Sequence, residues 1–175
     1  MKLLDLNILT DGISTGLSVY NGGFLAEAAS LCLDHNKHQL ETAFQVGGHY
    51  TGSYQLKRLG ITPAITGSYA DTQEAIEYGA CGIAIVLLNH ETSWKVKRAW
   101  KGDGFDYWLG EENEDYPFQN KSRLEISGIL KGTQGQISSR LKEKMEQTTV
   151  SDHMTIPAYA CVVEFGDPRS LTGKR

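Results

Sequence analysis

The sequence predicts an α/β fold, a mixed central sheet flanked by helices and carrying an inserted β-hairpin, and three observations carry that expectation. Residues 22–35 and 133–147 place apolar side chains at helical spacing. Residues 81–88, CGIAIVLL, form a continuous apolar run rich in β-branched residues, short for a helix and suited to a strand covered on both faces. Residues 94–100 and 123–130 divide their side chains between two faces with the period of two that a strand imposes.

Taken in order, Phe24, Ala28, Leu31 and Cys32 form one stripe of the first helix, with Asn21 placed as its N-cap. Residues 38–58 alternate around a Gly-rich centre and predict a hairpin. Residues 60–70 hold Pro63 and Gly67 and predict a loop, after which Asp71 or Thr72 caps a short helix, QEAIEYGA. The apolar run 81–88 then predicts the centre of the sheet. In WKVKRAW, Trp94, Val96, Arg98 and Trp100 share one face and Lys95, Lys97, Ala99 and Lys101 the other. In RLEISGIL, Arg123, Glu125, Ser127 and Ile129 point one way. Ile137, Leu141 and Met145 make residues 133–147 an amphipathic helix, and PAYACVVEF predicts a last strand.

With 175 residues, 40% hydrophobic and 22% charged, the chain has the size and composition of one domain, residues 1–175, with an insertion at 38–70 and a loose tail at 166–175. Cys32, Cys81 and Cys161 lie far apart in apolar runs and predict reduced core thiols. No apolar run approaches the roughly 18 to 20 residues of a membrane helix, and the start of the chain lacks a secretory pattern, so a cytoplasmic protein without membrane contact is expected. The net charge of −4 means that any nucleic-acid surface is local. His35, His38 and His49 have no cysteine to complete a zinc site.

Residues 104–128, GFDYWLGEENEDYPFQNKSRLEISG, place Asp106 at a strand-like run and, across an acidic loop, Glu125 in the middle of another. An unpaired carboxylate taken out of water costs several kcal/mol as an order of magnitude, so such residues are paired, exposed or bound to a metal. A surface ion pair is the plain reading. The element order, with the hairpin removed, is α-β-β-β-α-β. Together with Asp106 and the triplet Glu125-Ile126-Ser127, it resembles the PD-(D/E)xK nuclease superfamily, whose fold is restriction-endonuclease-like.

That resemblance covers residues 22–165 and implies a Mg²⁺- or Mn²⁺-dependent nuclease acting on DNA, in restriction, repair or defence. Asp106 and Glu125 would be metal ligands, joined by Glu27 of the first helix. Gln136, Arg140 and Lys144, spaced as one ridge of the later helix, would hold phosphates. A homodimer or a protein partner is also implied. Ser127 stands where the superfamily has lysine, so Lys101 or Lys131 becomes the candidate substitute, and Ser127→Lys is expected to preserve or increase activity. The rival expectation is a nuclease-derived fold without catalysis that binds nucleic acid or a protein partner in an assembly.

The chemistry asks for this arrangement. Phosphodiester hydrolysis needs charge neutralised on the transferring phosphoryl group and a hydroxide-like nucleophile near neutral pH, and a hard divalent ion held by oxygen ligands supplies both. Residues two apart on a strand share a face about 7 Å apart, so residue 127 overlooks whatever residue 125 holds.

Overall fold

The computed structural model describes residues 2–14, 16–113 and 118–175. Its strands are β1 (Lys2–Asp5), β2 (Glu41–Gly48), β3 (Gly52–Lys57), β4 (Lys95–Arg98), β5 (Tyr107–Glu111), β6 (Gln119–Ile129), β7 (Ala158–Glu164) and β8 (Arg169–Lys174). They form one mixed sheet in the order β1-β3-β2-β8-β7-β6-β5-β4. The α-helices are α1 (Val19–His35), α2 (Pro63–Ser68), α3 (Thr72–Thr92) and α4 (Gln134–Gln147), with 3₁₀ turns at Leu6–Asp11 and Thr148–Met154. Strands β4, β5 and β6 form an antiparallel meander, β7 runs parallel to β6, and β8 returns antiparallel to β7.

Successive side chains of β6 serve opposite faces, which sets the layers. Gly128 lies against Ile76 and Ala80 of α3, so β6 and β7 carry α3 on one face. Of the opposite parity, Arg123, Glu125 and Ser127 bond to groups in α4 and the turn after it. Helix α1 packs on α3. Their seam is made of small residues: a Cβ on Gly79 would stand 2.9 Å from the Ala29 backbone, and one on Gly82 would stand 2.8 Å from the Leu25 carbonyl oxygen.

The largest departure from expectation is at residues 81–88, which are not a strand but the second half of α3. The short helix expected before them simply continues. Asp71 caps it by accepting from the Gln73 amide, and from Ala75 to Leu88 the helix is buried on almost every side, between α1 and the sheet. A helix buried all round has no polar stripe, so its 3.6-residue period vanishes from the sequence. The β-branched residues Ile83, Ile85 and Val86 cost only tenths of a kcal/mol each in a helix, as an order of magnitude, far less than their burial returns. The centre of the sheet is instead β7, β8 and β2.

Other corrections are smaller. Residues 169–174, expected in a loose tail, form β8, with β7 on one side and β2 on the other. The hairpin exists as β2 and β3, paired antiparallel, and is built into the main sheet through β8 and β1. The loop expected at 60–70 contains α2, with Thr62 as N-cap and Pro63 in its first turn. Helix α1 is capped by Ser18 rather than Asn21. The helix expected at 133–147 and the last strand are present. Of the acidic loop, residues 114–117 lie outside the described residues. All three cysteines are buried and unpaired, and no helix among the described residues is long and apolar enough to cross a membrane.

Candidate functional site: an acidic notch between β5 and β6

Strand β6 is longer than its neighbour. Residues 119–124 pair with β5, but beyond Leu124 the strand continues to Ile129 beside β7 alone. On the β5 side this leaves a notch in the sheet. The chain enters β5 through Asp106, whose amide donates to the Leu124 carbonyl oxygen at 2.9 Å. The register pairs Tyr107 with Leu124, so one step further back sets Asp106 across from Glu125 with both side chains on one face. Asp106 Oδ2 then accepts from the Ile126 amide at 2.9 Å, satisfying a β6 donor that has no strand partner there.

The notch opens into a cavity of about 350 Å³ lined by Asp106, Glu125, Ser127, Arg140 and Lys144, with Gln73, Glu77, Tyr78 and Cys81 of α3 on the facing side. Glu125 is 2% exposed. Burial, together with the facing charge of Asp106, pushes its carboxyl up to about 7, although Lys144 pulls the other way. Lys144 Nζ donates to Glu125 Oε1 at 2.6 Å, and Arg140 Nη1 donates to Ser127 Oγ at 2.9 Å. Arg98 Nη1 stands 4.0 Å from Asp106 Oδ1, its guanidinium stacked 4.8 Å over the Tyr107 ring. Burial, and after it the charge of Asp106, pushes the Cys81 thiol up, so it faces the cavity as an inert neutral group.

The notch thus brings together Asp106, Glu125, Ser127, Arg140 and Lys144. Lys101 is exposed and lines an adjoining cavity that also touches Asp106 and Glu125. Lys131 lies elsewhere, against Gly166. Gln136 is not part of the site: it closes the capping box of α4 with Thr133. Glu27 sits on α1, half-buried, with Tyr69 Oη at 3.4 Å, and does not line the notch. The helix carboxylate that does reach it is Glu77. Gln73, Glu77 and Cys81 form one i, i+4, i+8 ridge of α3, which becomes visible in the sequence once residues 72–92 are taken as a single helix.

The cations beside residues 125 and 127 come from α4, as Lys144 and Arg140, rather than from Lys101 or Lys131. Arg140 already occupies the space beside residue 127, which revises the expectation for Ser127→Lys: a new ammonium there would meet a guanidinium.

Among the described residues, no group of three or more His, Cys, Asp or Glu is disposed to hold a metal ion. Two facing carboxylates are nevertheless a donor set that suits Mg²⁺, which keeps several waters and takes one or two protein carboxylates plus substrate phosphate oxygens. The charge of Asp106 acts against ionisation of Glu125, and a divalent cation between them would relieve that repulsion. Comparison of the chain with family models, with curated proteins and with solved structures yields no match.

Proposed function

We propose that the protein is a Mg²⁺- or Mn²⁺-dependent phosphodiesterase acting on DNA, built on a restriction-endonuclease-like core. The observation that carries this reading is the convergence of Asp106 and Glu125 across the β5/β6 notch, with Lys144 and Arg140 beside them. The element order supports it as well. Helix α3, the meander β4-β5-β6, helix α4 and the parallel strand β7 follow the α-β-β-β-α-β order, with α3 rather than α1 as the leading helix.

A divalent ion held by Asp106 and Glu125 would supply charge neutralisation at the transferring phosphoryl group and an ionised water near neutral pH. The Ile126 amide orients the Asp106 carboxylate. With a cation on Glu125, Lys144 would be free to bind a non-bridging phosphate oxygen, and Arg140, which donates to Ser127, would hold the next phosphate. The buried, unpaired cysteines accord with a reducing compartment, so the cytoplasm is the proposed location, and defence, restriction or repair the proposed context.

A second reading, a binding or assembly subunit without catalysis, is favoured by one observation: Lys144 already neutralises Glu125 at 2.6 Å. One pair of measurements separates the two. Under the nuclease reading, Mg²⁺ raises the melting temperature, more at pH 8 than at pH 6 because the ion binds the ionised Glu125. The same ion supports cleavage of DNA that Asp106→Ala and Glu125→Ala abolish. No thermal shift with Mg²⁺ or Mn²⁺ and no cleavage would hand the site to the second reading.

A further inference from the structure

We propose that Trp100 is a base-stacking platform beside the acidic notch, so that the substrate is a nucleic acid presenting an unpaired nucleotide next to the bond to be cut; this rests on the phosphodiesterase reading above. Trp100 is 83% exposed, and its ring meets no other ring among the described residues. The other two tryptophans are accounted for: Trp94 packs on Tyr159 at 6.5 Å and Trp108 on Phe105 at 4.8 Å. Both are half-buried.

The position of Trp100 is built rather than incidental. It lies just past Ala99, after the end of β4, in a turn held by backbone hydrogen bonds and left-handed glycines. The Ala99 amide donates to the Asp106 carbonyl oxygen at 3.0 Å, the Asp103 amide donates to that of Trp100 at 3.2 Å, and Gly102 and Gly104 take left-handed conformations at φ 103° and 80°. The indole thereby lines a cavity of about 660 Å³ whose other walls include Val150, itself 64% exposed, and the carboxylates Asp106 and Glu125. That volume suits a nucleotide, and an aromatic face with an aliphatic wall suits a base between them.

Charge continues the path. Strand β4 is the edge of the sheet, and Arg98 at its end and Lys101 beyond Trp100 line the same cavity as the indole and the two carboxylates, so a sugar-phosphate backbone meets cations there. Inside a duplex both faces of a base are covered by its neighbours. Only an unpaired, bulged or flipped base offers a face to Trp100 while its phosphate reaches Asp106 and Glu125.

The test compares wild type, Trp100→Ala and Trp100→Phe on one sequence in three forms: single strand, perfect duplex, and duplex with a single bulged nucleotide. Cleavage is read in Mg²⁺, and binding is read as quenching of tryptophan emission by an oligothymidylate in Ca²⁺. Wild type is expected to favour the single strand and the bulge. Trp100→Ala should lose roughly tenfold in affinity and kcat/KM on those two and little on the duplex, with Trp100→Phe restoring most of the loss. Quenching should disappear in Trp100→Ala. Cleavage by wild type with Trp100→Ala equal to it on all three forms overturns the stacking role and leaves the phosphodiesterase reading standing. Quenching without cleavage does the reverse. Self-association of wild type that Trp100→Ala abolishes, with no quenching by the oligonucleotide, overturns the proposal in favour of a surface for a second copy.

Discussion

Two buried glutamates on neighbouring strands, Glu164 at the end of β7 and Glu125 in β6, have opposite environments. Glu164 is 1% exposed and fully answered: Oε1 accepts from the amides of Gly166 and Gly132 at 2.7 and 3.2 Å, Oε2 accepts from that of Asp167 at 2.9 Å, and Arg169 stands 3.6 Å away. Glu125 is as deeply buried, yet it has one lysine on one oxygen and another carboxylate across the strand gap. Burial alone therefore does not mark a functional acid. A carboxylate tied to backbone amides on both oxygens holds two turns together, whereas one that faces a like charge and has a single lysine on one oxygen is where the proposed function places its metal ion.

The sharpest break would come from activity. Glu125→Ala should lower Mg²⁺-dependent cleavage by three orders of magnitude or more, about 4 kcal/mol in the barrier, while the protein stays folded by circular dichroism. Glu164→Ala should leave the activity of each folded molecule nearly unchanged. Next in size, Glu164→Ala should cost about 3 kcal/mol of stability in denaturant unfolding, because buried amides and Arg169 lose their acceptor. If the two substitutions exchanged these outcomes, the contrast would be lost.

Acidity sharpens the comparison further. The Glu125 carboxyl, raised from its ordinary 4.5 to about 7, binds its proton more tightly folded than unfolded. Its contribution to stability is complete below pH 4.5 and is lost as pH rises through about 7. Glu125→Gln should therefore be more stable than wild type by about 3 kcal/mol at pH 8, with the difference gone near the acid end, as read by thermal unfolding across pH. The smallest effect belongs to residue 127. Ser127→Ala should change cleavage by less than about threefold, and Ser127→Lys should lower it a few-fold, since its ammonium would stand beside Arg140.

What the sequence made legible follows the same physics. Asp106 and Glu125 stood out because charge inside strand-like runs is unusual, and Arg140 and Lys144 because a helical ridge keeps its period at the surface. Helix α3 was illegible for the opposite reason, being buried from Ala75 to Leu88, and with it went Glu77 as the helix carboxylate facing the notch. Glu27, Gln136 and Lys131 had suitable chemistry but not position: a cap, a tyrosine hydroxyl or a distant turn claims each of them. Strand β8 was missed because Arg169–Lys174 mixes charged, small and apolar residues, and its place is set by β2 and β7, not by its own pattern.

Strand β8 also governs the order in which the protein comes into being. It follows every other strand in the sequence, yet it lies between β2 and β7 and joins β1-β3-β2 to β7-β6-β5-β4. Gln45 pairs with Arg169, so that contact closes a loop spanning most of the chain. Such non-local pairing slows folding, and during synthesis β2 and β7 each present an open edge until β8 emerges. A nascent chain is therefore two half-sheets waiting for one zipper. Loss of β8 would leave those edges exposed to other chains, making aggregation during translation, rather than loss of the notch itself, its first consequence.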